Sequence, residues 1–294
     1  MQKSVAFLGL GVMGFPMAGW LSKCGYAVTV YNRTESVSQR WLNHYSGKTA
    51  NTVAEAVASA EIVFSCLGND DDVRAVVGGE AGALVAMKSG SILVDHTTTS
   101  ALLARELAEQ AQALAIGFVD APVSGGQQGA ENGQLTVMCG GQQTDFDAAR
   151  QAIQSYAKSL KLMGDAGSGQ LCKMVNQICI AGVIQGLAEG LNFAKRAGLD
   201  AQQVVEVISK GAAQSWQMEN RYQTMLANDY DHGFAVQWMR KDLAFALDEA
   251  KANGSDLPLT QLVDSFYAEV QDIGGNRWDT SSLLARFEHG ADKH

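Results

Sequence analysis

Short β-rich runs and helical stretches alternate through the first half of this chain, and that alternation restricts the fold more than any other feature. Val5–Gly9, Ala27–Tyr31, Ile62–Cys66 and Ile92–Asp95 read as buried strands. Phe118–Asp120 and Leu135–Met138 read as two more, the second followed by a turn at Gly140 and Gly141. Helical stretches such as Phe15–Cys24, Val53–Ala60 and Leu102–Ala113 lie between them. Strand and helix in strict succession predict a mostly parallel, doubly wound sheet covered on both faces. Past about Gly164 no strand is convincing, and the segments become long and helical. Gln170–Ala197 lacks proline and, as one helix, would span roughly 40 Å at about 1.5 Å per residue. Leu171, Met174, Val175, Ile178, Cys179, Val183, Ile184 and Leu187 leave little of its surface polar, which predicts burial on several sides. The junction "MGDAGSGQ" (163–170) is rich in Gly, Asp and Ser. The expectation is an α/β domain over residues 1–164, linked by the long helix to an all-α domain over 165–294.

A length of 294 residues suits two ordinary domains. The net charge of −9 argues against a nucleic-acid surface, which carries a basic stripe. Apolar runs are broken by Lys, Gln, Glu or Asn before they reach transmembrane length, so no membrane partner is expected. The N-terminus passes straight into a strand-like segment with no signal-peptide pattern. Five cysteines (24, 66, 139, 172 and 179) form no CxxC pair, which fits reduced thiols in a cytoplasm, each a small core residue. No cluster of His, Asp and Glu suggests a metal. His44, His232, His289 and His294 fall in polar segments read as exposed, and His96 near the expected cofactor loop. Trp216 and Tyr222 read as packing residues.

The segment "FLGLGVMGFPMAG" (7–19) sets Gly9, Gly11 and Gly14 directly after the first strand and at the start of the first helix. That context turns a GxGxxG, weak by itself, into the fingerprint of a dinucleotide-binding Rossmann domain. Gly9 permits the tight turn, Gly11 lets a pyrophosphate approach the backbone, and Gly14 lets helix and strand pack closely. Leu10, Val12 and Met13 complete the loop, whose helix N-terminus offers N–H groups to the anion. The second strand ends at Asn32, Arg33 and Thr34, with no acid at the strand end to hold a ribose 2′-hydroxyl. Three hydrogen-bond donors there favour a 2′-phosphate, hence NADP(H) over NAD(H), with NAD(H) still possible. The alternative is a solvated Arg33, with Glu35 on the ribose.

Two further segments carry chemistry. "DAPVSGGQQGA" (120–130) contains Ser124, Gly125 and Gly126, whose hydroxyl and backbone N–H groups suit a carboxylate, although alone it reads as a flexible loop. "GQLCKMVNQ" (169–177) places Lys173 at the head of a long apolar run. A buried ammonium is costly, so Lys173 either snorkels to the surface or serves a reaction.

With "GLGVMG", "VDHTTTS" and "MRKDLAFAL", these segments resemble, in order and spacing and over essentially the whole chain, the β-hydroxyacid dehydrogenases. That family includes 3-hydroxyisobutyrate dehydrogenase and tartronate semialdehyde (2-hydroxy-3-oxopropionate) reductase, and is related to 6-phosphogluconate dehydrogenase. The resemblance implies that Lys173 is the catalytic lysine and that Ser124, Gly125 and Gly126 bind the substrate carboxylate. It places Asn176 and Gln177 at a substrate-orienting pair, and either could be the main partner. Thr98 should lie by the nicotinamide and Leu67 should touch the cofactor, with Lys241 on the cofactor side beside Asp242, and Phe234 and Trp238 along the substrate pocket. The chain departs from the family pattern at Leu67-Gly68-Asn69, where Leu-Pro is common, and at His96, Thr97 and Gln177. The last departure favours the reductase branch over 3-hydroxyisobutyrate.

Hydride transfer to a carbonyl builds charge on its oxygen, and the site needs a proton donor. Lys173, Asn176 and Gln177 share a helix face, and desolvation by Leu171 and Met174 would draw the lysine toward the working pH. The expected activity is interconversion of a small semialdehyde or oxo acid with its β- or γ-hydroxy acid. An imine reductase of the same architecture is the alternative, although such relatives generally replace the lysine. A non-catalytic cofactor-binding scaffold is another. The long apolar helix also suggests a homodimer or homotetramer.

Overall fold

A computed structural model describes residues 3–289. Nine strands occur among the described residues: β1 (Ser4–Leu8), β2 (Ala27–Tyr31), β3 (Lys48–Thr49), β4 (Ile62–Ser65), β5 (Ile92–Asp95), β6 (Gly117–Asp120), β7 (Val123–Ser124), β8 (Leu135–Gly141) and β9 (Ala157–Leu162). They form one sheet in the order β3-β2-β1-β4-β5-β6-β8-β7, with β9 also on β8. The first six strands in that order run parallel, and β8 is antiparallel to β6 and β7. The reversal of strand order beside β1 makes a switch point, where loops at the carboxyl ends of β1 and β4 diverge and leave a crevice.

Strand alternation divides the apolar residues between two layers. Val5, Phe7, Val28, Val30, Phe64, Val94 and Val119 enter one core, together with Met17 and Leu21 of the Gly14–Lys23 helix. Ala6, Leu8, Val63, Leu93 and Phe118 enter the other, against Leu103 and Leu107 of the Ala101–Ala113 helix. Each fully buried Leu or Phe contributes roughly 2 kcal/mol, so the two-faced pattern holds the register firmly. β3, β7 and β9 were not legible. The first two have two residues each, and β9 exposes Lys158.

The chain divides into two compact units, Met1–Lys173 and Met174–His294. The division falls inside a single helix, Ser168–Arg196. No strand occurs among the described residues of the second unit, apart from an isolated bridge between Ala235 and Asp279. Its core gathers Ala181, Ile184, Ala188 and Leu191 at helical spacing against Met239, Leu243, Val263 and Tyr267.

Five expectations need correction. The Ser168–Arg196 helix is long and apolar enough, by length and composition, to span a membrane, because Ile, Val, Leu and Ala outweigh the scattered polar residues. It is also not buried on several sides within the chain: Val175 is 60% and Phe193 71% exposed, since only the stripe through Ala181 and Leu191 meets the core. Cys24 and Cys179 are exposed and are not core residues, as neither lies on a buried face of its helix or turn. Trp216 is likewise 53% exposed, with the Arg221 guanidinium 4.9 Å over its ring, and His232 is half-buried. The His289 side chain and His294 lie outside the described residues.

Candidate active site

The glycine loop is built by close approach. Gly9 has φ of +94°, and a Cβ there would strike the Cys66 carbonyl oxygen on the neighbouring strand end. A Cβ on Gly14 would strike the Gly9 carbonyl oxygen and come 2.9 Å from the Phe7 ring. Gly11 differs, since no protein atom lies within 4 Å of where its Cβ would stand. The fold therefore demands glycine at 9 and 14, whereas at 11 the surrounding protein atoms make no such demand. Val12 is 59% exposed, Met13 is half-buried, and the Leu10 side chain is core, so only the Leu10 backbone can face a ligand.

Asn32, read as a phosphate donor, also has a structural task. Its Oδ1 accepts from the Leu10 N–H at 3.0 Å and its Nδ2 donates to the Thr34 carbonyl at 3.1 Å. The side chain thereby ties the glycine loop to the end of β2. Arg33 and Thr34 are exposed beside it.

The loops after β4 and β5 are joined through a buried carboxylate. Asp95 Oδ1 accepts from Ser65 Oγ at 2.8 Å, Thr97 Oγ1 at 2.7 Å and the Thr97 N–H at 3.1 Å. Thr97 Oγ1 in turn accepts from the Leu67 N–H at 2.9 Å. Burial pushes Asp95 up to about 6 although these donors pull it down. His96, next in sequence, points into the core rather than toward a cofactor loop. Its ring stacks on Phe64 at 5.9 Å, Nδ1 donates to the Ala121 carbonyl at 2.7 Å, and Nε2 accepts from the Tyr156 hydroxyl at 2.8 Å. Burial lowers it to about 4, which leaves it neutral.

A second buried carboxylate, Asp120 at the end of β6, anchors the helix that carries Lys173. Its oxygens accept from the Gly167 N–H at 2.7 Å and the Gln170 N–H at 2.9 Å, satisfying donors that a helix start leaves unpaired. Burial raises Asp120 to about 7, against the pull of those donors. A Cβ on Gly169 would sit 2.5 Å from the Met138 carbonyl oxygen, and one on Gly140 at 2.5 Å from Asp120 Oδ1. These two glycines let helix and sheet backbones approach closely. Gln170 then bonds the loop after β5: Nε2 donates to the Thr97 carbonyl at 2.7 Å, and Oε1 accepts from the Thr99 N–H at 3.1 Å. Between those two partners stands Thr98, half-buried. Lys173 is buried, with 7% of its surface exposed. Ser124 closes β7 half-buried, and Gly125 and Gly126 follow with φ of +132° and +61°, a conformation that only glycine adopts freely.

In the second unit the bonds connect a different group. Gln177 is buried. Its Nε2 donates to Asp242 Oδ2 at 2.7 Å, while Oε1 accepts from Asn176 Nδ2 at 2.8 Å. Lys241 Nζ pairs with Asp242 Oδ1 at 3.1 Å and lies 5.0 Å over the Phe245 ring. Phe234 and Trp238 are half-buried. The Phe234 N–H donates to buried Asp279 Oδ2 at 2.8 Å, and its carbonyl accepts from the Thr280 N–H.

Sequence reading missed Asp95, Asp120, Gln170 and Asp279. The one available signal was that two buried strands, "ILVD" and "GFVD", each end in aspartate.

Comparison with known proteins agrees with these features. Residues 4–164 match the NAD-binding domain of 6-phosphogluconate dehydrogenase, and residues 167–287 the NAD-binding domain of NADP-dependent 3-hydroxyisobutyrate dehydrogenase. An uncharacterized oxidoreductase of Shewanella frigidimarina (strain NCIMB 400) is 64% identical, over 97% of this chain and 98% of that protein. The 2-hydroxy-3-oxopropionate reductase of Escherichia coli (strain K12) is 33% identical, over 97% of each chain. Among solved structures, Mycobacterium tuberculosis 3-hydroxyisobutyrate dehydrogenase with L-serine superposes with a TM-score of 0.88 at 29% identity, covering 98% of this chain and 99% of the other.

Proposed function

The chain belongs to the β-hydroxyacid dehydrogenase family, and from that premise we propose that it is an NADP(H)-preferring enzyme that interconverts a small semialdehyde or oxo acid with its β- or γ-hydroxy acid. That it is an NAD(P)-dependent oxidoreductase follows from the family. The observation that carries the finer reading is a lysine 7% exposed, on a helix whose start is bonded to the loop after β5 and to the end of β6. These lie at the same sheet edge as the glycine loop, the edge where open α/β sheets bind ligands.

The loop fits a dinucleotide: Gly11 has open space where a side chain would stand, and the helix after it offers N–H groups. Gly9–Gly14 would hold the pyrophosphate through the backbone, Arg33 and Thr34 a 2′-phosphate, and Leu67, Thr98 and Lys241 the remaining contacts. When bound, the reduced nicotinamide supplies the hydride. Ser124 and the amides of Gly125 and Gly126 would hold the substrate carboxylate, which fixes the carbonyl in place. Lys173, as an ammonium, would give a proton to the carbonyl oxygen as charge builds there, leaving the hydroxy acid and a neutral amine. In oxidation the amine would take the hydroxyl proton. Asn176 is assigned the main substrate contact, because Gln177 is committed at both ends of its amide. Phe234 and Trp238 would wall the substrate.

NADPH oxidation with a panel of small semialdehydes and oxo acids tests this reading, with wild type compared to Lys173→Ala. Loss of about 10²–10⁴-fold in kcat is expected for the variant, the range of a general acid. No turnover of any acid by wild type, or equal turnover by the variant, would refute it. An imine reductase would instead turn over cyclic imines, and a scaffold would bind cofactor without oxidising it.

A further inference from the structure

Gln170 does not belong to the machinery assigned above, yet its side chain is 1% exposed and hydrogen-bonded at both ends. Both partners are backbone groups of one loop, the Thr97 carbonyl and the Thr99 N–H. A side-chain amide matches such a pair as a β-strand neighbour would, one donor and one acceptor in fixed register. Thr98 is held between them. The same residue's own N–H is bound by Asp120 Oδ2. Gln170 therefore couples three elements: the end of β6, the loop after β5 and the first turn of the Ser168–Arg196 helix. Lys173 lies three residues, about one helical turn, beyond it.

We propose that Gln170 is a positioning residue that sets the distance between Lys173 and the Thr97–Thr99 loop, and through that loop the alignment of the proton donor with the hydride carrier. This rests on the functional reading above, in which Lys173 donates the proton and Thr98 lies by the nicotinamide. The loop's far side is already rigid, because Asp95 binds Thr97 through both Oγ1 and N–H. The helix start is rigid through Asp120. Gln170 is a side-chain link between those two bodies, added to the backbone pairing of β5 with β6 beneath them. Its loss would leave each intact and loosen the fit between them. An error of about 1 Å in the placement of reacting groups can cost on the order of 10²-fold in rate.

Two variants test this. Gln170→Leu keeps the volume and removes both bonds. Gln170→Glu keeps the shape, and its carboxyl can donate to the Thr97 carbonyl only while protonated. For Gln170→Leu the expectation is a fall in kcat of about 10- to 100-fold. NADPH affinity, read by fluorescence without substrate, should stay within about threefold because the glycine loop is untouched. The primary isotope effect with 4-deuterated NADPH should rise as hydride transfer becomes limiting. For Gln170→Glu, the ratio of its kcat to that of wild type should climb as pH is lowered, a limb that Gln170→Leu lacks. The pH test stands even if the leucine variant folds poorly.

A Gln170→Leu variant with wild-type kcat, or a Gln170→Glu ratio flat in pH, would overturn the positioning role, provided Lys173→Ala is inactive. Absence of turnover by wild type, or full turnover by Lys173→Ala, would instead remove the functional reading and this proposal with it.

Discussion

Gln177 Nε2 lies 2.7 Å from Asp242 Oδ2, and that one bond orients two amides. A carboxylate only accepts, so Gln177 must turn its nitrogen toward Asp242 and its oxygen toward Asn176. Asn176 then gives its nitrogen to Gln177 at 2.8 Å, and its own oxygen is left as the acceptor of the pair. Glutamine at this position, where many relatives have a second asparagine, has a side chain one methylene longer, and its amide reaches Asp242 here.

Replacing Gln177 by leucine would leave Asp242 buried without its amide donor. A loss of about 1–3 kcal/mol in stability is expected by urea unfolding. KM for the acid substrate should rise as Asn176 loses its orientation, with NADPH affinity unchanged. Unaltered KM would show that Asn176 needs no such support.

Gly11 and Gly14 of the glycine loop should separate by experiment. Gly14→Ala forces a Cβ into the Gly9 carbonyl, so a large fall in Tm or failure to fold is expected. Gly11→Ala meets no protein atom and should keep the wild-type Tm while weakening NADPH binding. Full cofactor affinity in Gly11→Ala would remove the argument that a ligand demands glycine there.

The proposed preference for NADPH rests on Arg33, which is exposed just past the end of β2. Arg33→Ala should weaken NADPH far more than NADH, read as the ratio of kcat/KM for the two. An unchanged ratio would return the ribose to Glu35.

Asp120 makes stability depend on pH with a definite sign. Its ordinary pKa of 3.8 is raised to about 7 in the fold, so the folded chain keeps a proton that the unfolded chain has released. That contribution is full below about 4 and is lost as pH rises through about 7. Asp95, raised to about 6, acts in the same sense. His96, lowered to about 4, opposes them between about 4 and 6.5. From pH 6.5 to 8 Asp120 is left to decide the slope, and stability should fall. Asp120→Asn should flatten that segment in urea unfolding, and an identical slope in both proteins would refute the assignment.

Val175, Val183 and Phe193 are exposed along one stripe of the Ser168–Arg196 helix, and we assign that stripe to contact with a second copy of the chain. Phe193→Glu should lower the mass seen by sedimentation. A monomeric wild type would end this assignment.

Strand–helix alternation, the glycine spacing and the three-residue step from Lys173 to Asn176 were all legible, because each depends on backbone periodicity over a few residues. From them came the α/β and all-α halves and the lysine-bearing helix. What Gln170, Asp120 and Gln177 do was not legible. Their partners lie 73, 47 and 65 residues away, at Thr97, Gly167 and Asp242. A buried amide or carboxylate has the same letter as an exposed one. Only packing decides which backbone groups it meets, and burial then sets how strongly it is held and how its proton behaves. The chain by itself determined that a lysine would sit on a long helix after a nucleotide-binding sheet; tertiary structure decided what holds that helix in place, since a hydrogen bond across a fold exists only once both segments have been brought together.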